Sequence, residues 1–262
     1  IADVIRKAVE FKGFSVVDIW GICPGRFSKR NRLTTKGIEE MLSRLTPFEG
    51  AVAENQRREF GEHYRELAAT QRTVPPPAAI AARFGPVSTE RQEVIILGSA
   101  GQRIITAGEM LCLAGLHAGL NATQKNDYDI TVLRGPSISE MILSPQAIDY
   151  TGISRPSVVI ALGPEGVARR KKMFAGLDET CTVIQAVGVD IPACRARIHR
   201  VDFKGQGFKG ADWALASLGV LAQLGLVMRP QMLEAAIAAR LKGDSQAGAL
   251  EIVRKVKPGE SI

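Results

Sequence analysis

The 262 residues are enough for one large domain or two smaller ones. Hydrophobic residues make up 45% and charged residues 23%, which excludes a chain that is disordered throughout. The apolar stretches at residues 157–162 and 213–227 are too short or too interrupted to cross a bilayer, so we expect no membrane span. The net charge of +7 is compatible with a nucleic acid, an anionic small ligand or an acidic protein, although dispersed lysines and arginines are typical of a solvated surface.

The N-terminus and the cysteines indicate the cellular compartment. The chain opens with Ile1 and has neither an initiator methionine nor a signal-peptide pattern, so we expect a fragment, a processed product or a missing N-terminal segment. The four cysteines are Cys23, Cys112, Cys181 and Cys194, without C-x-x-C or zinc-finger spacing. Few cysteines and no signal predict a reducing, cytoplasmic location.

A proline-rich stretch divides the chain. Residues 75–77 are three consecutive prolines, which cannot continue a helix and favour an extended backbone. We therefore predict a linker over residues 73–90, a first segment over 1–72 and a second segment over 91–262.

The first segment is predicted to contain one strand and three helices. Apolar spacing indicates a helix over residues 2–11, an apolar β-rich run indicates a buried strand over 14–20, and two further helices are expected over 34–45 and 54–69. One strand cannot build an independent sheet, so this segment is interpreted as the end of a larger domain.

The second segment alternates strands with helices, which predicts an α/β fold with a mostly parallel sheet and helices on both faces. The predicted strands cover residues 93–97, 129–133, 157–162, 182–186 and 198–203. Helices are expected directly after Gln102, from Pro164, and over residues 211–227 and 230–241.

The turn Gly98-Ser99-Ala100-Gly101-Gln102 joins the first of these strands to a long helix. Glycines there let a backbone approach a phosphate, and the N-terminus of the following helix favours an anion. The spacing matches neither G-x-G-x-x-G nor a Walker A loop, so a plain tight connection is the alternative. Arg134-Gly135 forms a second candidate turn, where the guanidinium could clamp an anionic oxygen or simply be solvated.

A basic loop over residues 23–32 follows the predicted first-segment strand. Its Cys23 could ligate a cluster, act as a redox thiol or fill space. The cations at residues 26–32, with Phe27 among them, could also bind RNA or DNA.

The first segment resembles the C-terminal end of the beta (thiamine-diphosphate) subunits of 2-oxoacid:ferredoxin oxidoreductases. The similarity lies in Gly-Phe-Ser-Val-Val-Asp-Ile-Trp-Gly-Ile-Cys-Pro over residues 13–24 and in Lys-Arg-Asn over residues 29–31. The resemblance implies that Cys23 supplies one thiolate to a 4Fe–4S cluster whose other ligands lie elsewhere. It also implies that the thiamine-diphosphate and magnesium site lies mainly in partner segments.

The second segment resembles the gamma subunit of the same family over residues 93–241. The matching features are the turn containing Gly98, Ser99, Gly101 and Gln102, and the second turn with Arg134 and Gly135. Where the family has glycines, this chain has Ala100, Arg103 and Pro136. The resemblance implies that these turns bind coenzyme A. The side chains that stand in place of the family's glycines leave less room for a ligand to approach the backbone.

The implied activity is coenzyme A-dependent oxidative decarboxylation of a 2-oxoacid to acyl-CoA, carbon dioxide and a reduced low-potential acceptor. The implied partners are alpha-type and beta-type subunits and ferredoxin or another acceptor, without nucleic acid. The alternatives are a non-catalytic assembly module with a degenerate nucleotide site, and a nucleic-acid-binding protein whose affinity would fall steeply with salt. The sequence does not specify which 2-oxoacid is used.

Overall fold

The structure is a computed structural model that describes residues 1–19, 31, 34–44, 60–70, 79–129 and 134–261. The chain divides into two units, Ile1–Pro75 and Pro76–Ile262. Cys23, nearly all of the basic loop and residues 130–133 of one predicted strand lie outside the described residues.

The described part of the first unit is helical. Its helices are α1 (Ala2–Glu10), α2 (Thr35–Ser43) and α3 (Phe60–Thr70), which lie where helices are predicted over residues 2–11, 34–45 and 54–69, although residues 45 and 54–59 lie outside the described residues. The side chain of Thr34 caps α2 by accepting a hydrogen bond of 3.2 Å from the backbone N–H of Gly37.

The predicted strand over residues 14–20 is wrong for residues 14–19, which form no strand. Phe14 and Val16 are 89% and 73% exposed, although their apolar pattern is that of a buried strand. A strand needs a neighbour for its backbone hydrogen bonds, and the described residues of this unit contain no strand to pair with.

The second unit holds a seven-stranded sheet and five α-helices among its described residues. The strands are β1 (Gln92–Ser99), β2 (Asn121–Tyr128), β3 (Pro136–Ser144), β4 (Val158–Ala161), β5 (Thr182–Ala186), β6 (Arg197–Val201) and β7 (Glu260–Ser261). The helices are α4 (Ile104–His117), α5 (Pro164–Arg169), α6 (Trp213–Gln223), α7 (Pro230–Arg240) and α8 (Gly243–Lys255). Short 3-10 helices cover Lys171–Gly176 and Gly210–Asp212.

The strand order is β2-β3-β1-β4-β5-β6-β7. β1, β4, β5 and β6 are mutually parallel, whereas β3 pairs antiparallel with β1 and β2, and β7 pairs antiparallel with β6. The predicted α/β class and the parallel arrangement are thus confirmed for the central sheet.

The antiparallel hairpin of β2 and β3 is absent from the sequence prediction. β2 reads Asn-Ala-Thr-Gln-Lys-Asn-Asp-Tyr and lies at the edge of the sheet, so it lacks the apolar signature of a buried strand. The sequence analysis also missed α8, whose two buried side chains, Ala249 and Val253, give little apolar periodicity.

Helices cover both faces of the sheet. An added Cβ at Gly108 of α4 would meet Ser139 and Met141 of β3, so these residues face α4. The intervening residue of β3, Glu140, accepts a hydrogen bond from Arg170, which directly follows α5. Because successive side chains of a strand point to opposite faces, α4 and α5 lie on opposite sides of the sheet.

The core lies between the sheet and these helices, and the strand β4 is buried at every position. The C-terminal end of α4 also holds the segment before β1, because the carbonyl of His117 accepts hydrogen bonds from the N–H groups of Arg83 and Phe84 at 2.7 and 3.1 Å. Among the helices of the described residues, none is both long enough and apolar enough to span a bilayer.

Candidate functional site

The carboxyl ends of β1 and β4 form the natural ligand site of this topology. The two strands are parallel neighbours, but the chain leaves β1 through α4 toward β2 on one side and leaves β4 through α5 toward β5 on the other. In α/β proteins, ligands bind outside the carboxyl ends of the strands at such a switch point. The predicted turn over residues 98–102 lies at this place.

Gln102 locks the turn in place. Its Oε1 accepts a hydrogen bond from the backbone N–H of Ser99 at 2.7 Å, and its Nε2 donates to the carbonyl of Leu162 at 2.9 Å. Gln102 therefore joins the end of β1 to the end of β4. Gly98 is buried beneath this arrangement, and an added Cβ there would lie 2.3 Å from Cδ1 of Ile104. Within this structure Gly98 and Gln102 shape the turn.

The second predicted turn lies beside the first. The backbone N–H of Ala100 donates to the carbonyl of Gly135 at 2.9 Å. Gly135 has a φ of 86°, and an added Cβ would lie 2.5 Å from Oδ2 of Asp129, so a glycine is needed here. Arg134 is exposed, and no ion pair joins it to another described residue. The structure thus brings the two predicted turns together and leaves one guanidinium beside them.

Helix α4 begins directly after the first turn. Gly101 has a φ of 94°, and Arg103, the residue before the helix, has a left-handed φ of 59° and provides no side-chain cap. The first-turn N–H groups of α4 therefore have no side-chain acceptor from Arg103. The guanidinium of Arg103 lies 3.7 Å from the carboxylate of Asp212 and is 67% exposed, which leaves it accessible to an anion.

Three residues after β4 complete the site, and the sequence analysis did not identify them as site residues. Glu165 accepts a hydrogen bond from the hydroxyl of Ser99. Gly163 and Gly166 allow this contact, because added Cβ atoms would lie 2.7 Å from the backbone nitrogen of Ser99 and 2.5 Å from that of Gly98. The available signal was Gly-Pro-Glu-Gly directly after a buried strand, since the carboxyl ends of parallel neighbours meet at one edge.

An ion-pair network holds α5 to the hairpin. Arg170 pairs with Asp127 at 2.9 Å and with Glu140 at 3.0 Å, and Arg169 pairs with Asp127 at 3.2 Å. Partial burial would raise the pKa of Asp127, but hydrogen bonds from Arg170 and Arg169 outweigh it and hold the pKa below its ordinary value. The network therefore fixes the position of α5, and with it that of Glu165.

The buried thiols are not suited to metal or redox chemistry. Burial, and secondarily the charge of Glu109, raises the pKa of Cys112 to about 12. Burial also raises the pKa of Cys181 to about 12. Thiolates are the form that binds metals and attacks disulfides. Within the described ranges, no group of three or more His, Cys, Asp or Glu residues is placed to hold a metal ion, and Cys23 lies outside those ranges.

Curated proteins with similar sequences are subunits of 2-oxoglutarate synthases. The chain is 33% identical over 78 residues to the 2-oxoglutarate synthase subunit KorC of Methanothermobacter marburgensis. This alignment covers 29% of the chain and 42% of KorC, so the chain spans less than half the length of this curated relative.

Solved structures share the fold. The gamma subunit of a keto/oxoacid ferredoxin oxidoreductase from Geobacter sulfurreducens superposes with a TM-score of 0.50 at 22% identity, covering 62% of this chain and 94% of that subunit. The 2-oxoglutarate:ferredoxin oxidoreductase of Magnetococcus marinus, solved with 2-oxoglutarate, coenzyme A and succinyl-CoA bound, gives a TM-score of 0.55 at 16% identity. That match covers 64% of this chain and 30% of the other.

The family profile agrees with the fold and with the resemblance of the second segment. The profile of pyruvate ferredoxin/flavodoxin oxidoreductases matches residues 93–255, which run from β1 to the end of α8 and make up more than half of the chain. The chain belongs to the pyruvate ferredoxin/flavodoxin oxidoreductase family.

Proposed function

We propose that this chain is part of a 2-oxoacid:ferredoxin oxidoreductase that converts a 2-oxoacid and coenzyme A to acyl-CoA, carbon dioxide and a reduced low-potential acceptor. The observation that carries the proposal is the place of the two turns at the switch point of a family-matched domain. The first unit would be the end of a thiamine-diphosphate subunit, completed by alpha-type and beta-type partners. Ferredoxin or a similar carrier would accept the electrons.

The charges of the described residues at the switch point support the binding of coenzyme A. Its phosphates carry negative charge, and the switch point offers the exposed guanidinium of Arg134 and the N-terminus of α4. The guanidinium of Arg103 lies beside the same helix end. In this proposal these groups bind and orient the coenzyme, while Gln102 keeps the switch point rigid through its bonds to both strand ends.

The remaining cofactors lie largely beyond this chain. Thiamine diphosphate with magnesium supplies the decarboxylation chemistry when bound, and 4Fe–4S clusters take up electrons singly. Cys23 would give one thiolate to such a cluster, a role that follows from the resemblance of residues 13–24 and from no described contact. This chain's own part is to bind the coenzyme, provide that ligand and pack against its partners.

A second candidate function is an assembly module that does not bind the coenzyme. One observation favours it: the N–H groups of Ser99 and Ala100 are already bonded within the protein, so the turn is closed more tightly than a phosphate-binding loop. Coenzyme A affinity separates the two functions, because an assembly module would show none.

Electron paramagnetic resonance of the purified complex tests the whole reaction. After a panel of 2-oxoacids is added with coenzyme A, a reduced iron–sulfur signal should appear with the true substrate. Cys23→Ser should change or abolish that signal, whereas Cys194→Ser, at a half-buried thiol, should leave it unchanged. A complex without any iron–sulfur signal after dithionite would refute the cluster role of Cys23.

Calorimetric titration with coenzyme A tests the switch-point site. Arg134→Ala should weaken binding roughly ten- to hundredfold, the loss expected for a hydrogen bond to a charged group. Arg195→Ala is the matched control, because Arg195 is exposed and precedes β6, at the opposite end of the parallel strands. Equal affinities in all three proteins would remove Arg134 from the site.

A further inference from the structure

The first turn presents few free donors to a ligand. The N–H of Ser99 is bonded to Gln102 Oε1, that of Ala100 to the carbonyl of Gly135, and that of Gln102 to the carbonyl of Ser99. A phosphate-binding loop works in the opposite way, because it leaves successive N–H groups unpaired and pointing at the anion. Three of the four N–H groups of residues 99–102 are therefore unavailable for a phosphate.

The same turn carries an acceptor. One oxygen of the Glu165 carboxylate accepts a hydrogen bond from the hydroxyl of Ser99. A carboxylate has about four lone-pair positions on its two oxygens, so this contact leaves further positions for a ligand. Glu165 is exposed, and no cation of the described residues forms an ion pair with it. Its charge is therefore offset by no ion pair among the described residues, although the N-terminus of α5 stabilises part of it.

Glu165 is held in a defined place. The absence of side chains at Gly163 and Gly166 allows the start of α5 to lie against the backbone of β1, and the ion pairs of Arg169 and Arg170 hold the other end of α5 to the hairpin. The hydroxyl of Ser99 then fixes the direction of the carboxylate. A charged acceptor fixed at a switch point selects between ligand groups, because it attracts an O–H or N–H and repels a phosphate.

We infer that Glu165, oriented by Ser99, accepts a hydrogen bond from an uncharged hydroxyl or N–H donor of coenzyme A, and that the phosphates of the coenzyme do not bind the backbone N–H groups of residues 99–102. Coenzyme A carries such donors on its ribose, its adenine and its pantetheine amides. The phosphates bind Arg134 and the N-terminus of α4, which flank the turn, while Glu165 determines which part of the molecule meets the turn itself. The inference rests on the proposed binding of coenzyme A.

Titration calorimetry of the full chain with coenzyme A, in buffer containing EDTA, tests the inference. The decisive result is whether Glu165→Ala weakens or strengthens the binding of coenzyme A. Glu165→Ala should weaken binding roughly ten- to hundredfold, and Glu165→Gln, which keeps a neutral acceptor, should lose less. Glu251→Ala is the matched control, because Glu251 is an exposed glutamate of α8, whose neighbours are α6 and α7. The control should bind within about twofold of the unaltered chain. Far-ultraviolet circular dichroism verifies that each variant is folded.

The contrary outcomes are distinct. Tighter binding by Glu165→Ala, with a gain that grows at low salt, would mean that a phosphate lies beside the carboxylate of Glu165, and would overturn the inference. Unchanged affinity, or a loss seen only when magnesium replaces EDTA, would overturn it as well, because the carboxylate would then be idle or would bind the coenzyme through a cation. An unaltered chain that binds no coenzyme A would refute the proposed function together with this inference. If the unaltered chain binds coenzyme A and Glu165→Ala binds it more tightly, the inference is refuted and the proposed function stands.

Discussion

Gly166→Ala should loosen the candidate site and destabilise the second unit. The added Cβ would lie 2.5 Å from the nitrogen and 2.7 Å from the oxygen of Gly98, where ordinary contact begins at 3.4 Å. Both atoms belong to the backbone of a buried strand, so α5 or β1 must shift by about 1 Å. Overpacking costs about 1–3 kcal/mol, and a buried backbone favours the upper end. Because alanine is more stable than glycine in a helix by about 0.5–1 kcal/mol, the free energy of unfolding should fall by about 2 kcal/mol in total.

Urea denaturation measures this loss through tryptophan fluorescence. The chain has two tryptophans, so Trp20→Phe leaves Trp213, which stacks on Phe203 in the second unit. With a slope of about 2 kcal/mol per molar urea, the midpoint of Gly166→Ala should fall by about 1 M. Gly248→Ala is the control, because it lies within α8 with no atom within 4 Å of the added Cβ, and its midpoint should rise slightly. A midpoint for Gly166→Ala that is unchanged or raised would refute the close packing of α5 on β1.

Two further changes are predicted by the hydrogen bonds of single side chains. Gln102→Leu should lower the free energy of unfolding by about 2–4 kcal/mol in the same denaturation assay, because it leaves the N–H of Ser99 and the carbonyl of Leu162 without partners. An unchanged midpoint would contradict this role. Hydrogen bonds, first from the Thr180 side chain, lower the pKa of Asp178 from 3.8 to about 2, so its stabilising effect is present above pH 3.8 and is lost as the pH falls toward 2. Asp178→Asn should therefore be less stable than the unaltered chain at pH 7, and most of this difference should be lost as the pH falls to about 2, so a difference that keeps its pH 7 size at pH 2 would refute the assignment.

The sequence by itself determined most elements of the second unit. The apolar runs of β1, β4 and β5, the helical spacing of α4 and the proline at the start of α5 are local patterns, and each element formed where its pattern predicts. Such patterns hold because burial of an apolar face and the backbone's own hydrogen bonds act within a short stretch of chain. They also located the turns at Gly98 and Arg134, and carried the family resemblance.

The tertiary structure decided which of these pieces meet. β3 pairs with β2, a polar strand at the edge of the sheet. Because β2 has no apolar periodicity, the local sequence does not predict this pairing. Residues 14–19 have a strand's composition without a strand beside them, because backbone pairing depends on a neighbour that the local sequence does not contain. Glu165 meets Ser99 across 66 positions of the chain because β1 and β4 are parallel neighbours whose carboxyl ends share one edge. The sequence placed two candidate turns, and only the order of the strands brought the acidic side chain of Glu165 to the first of them.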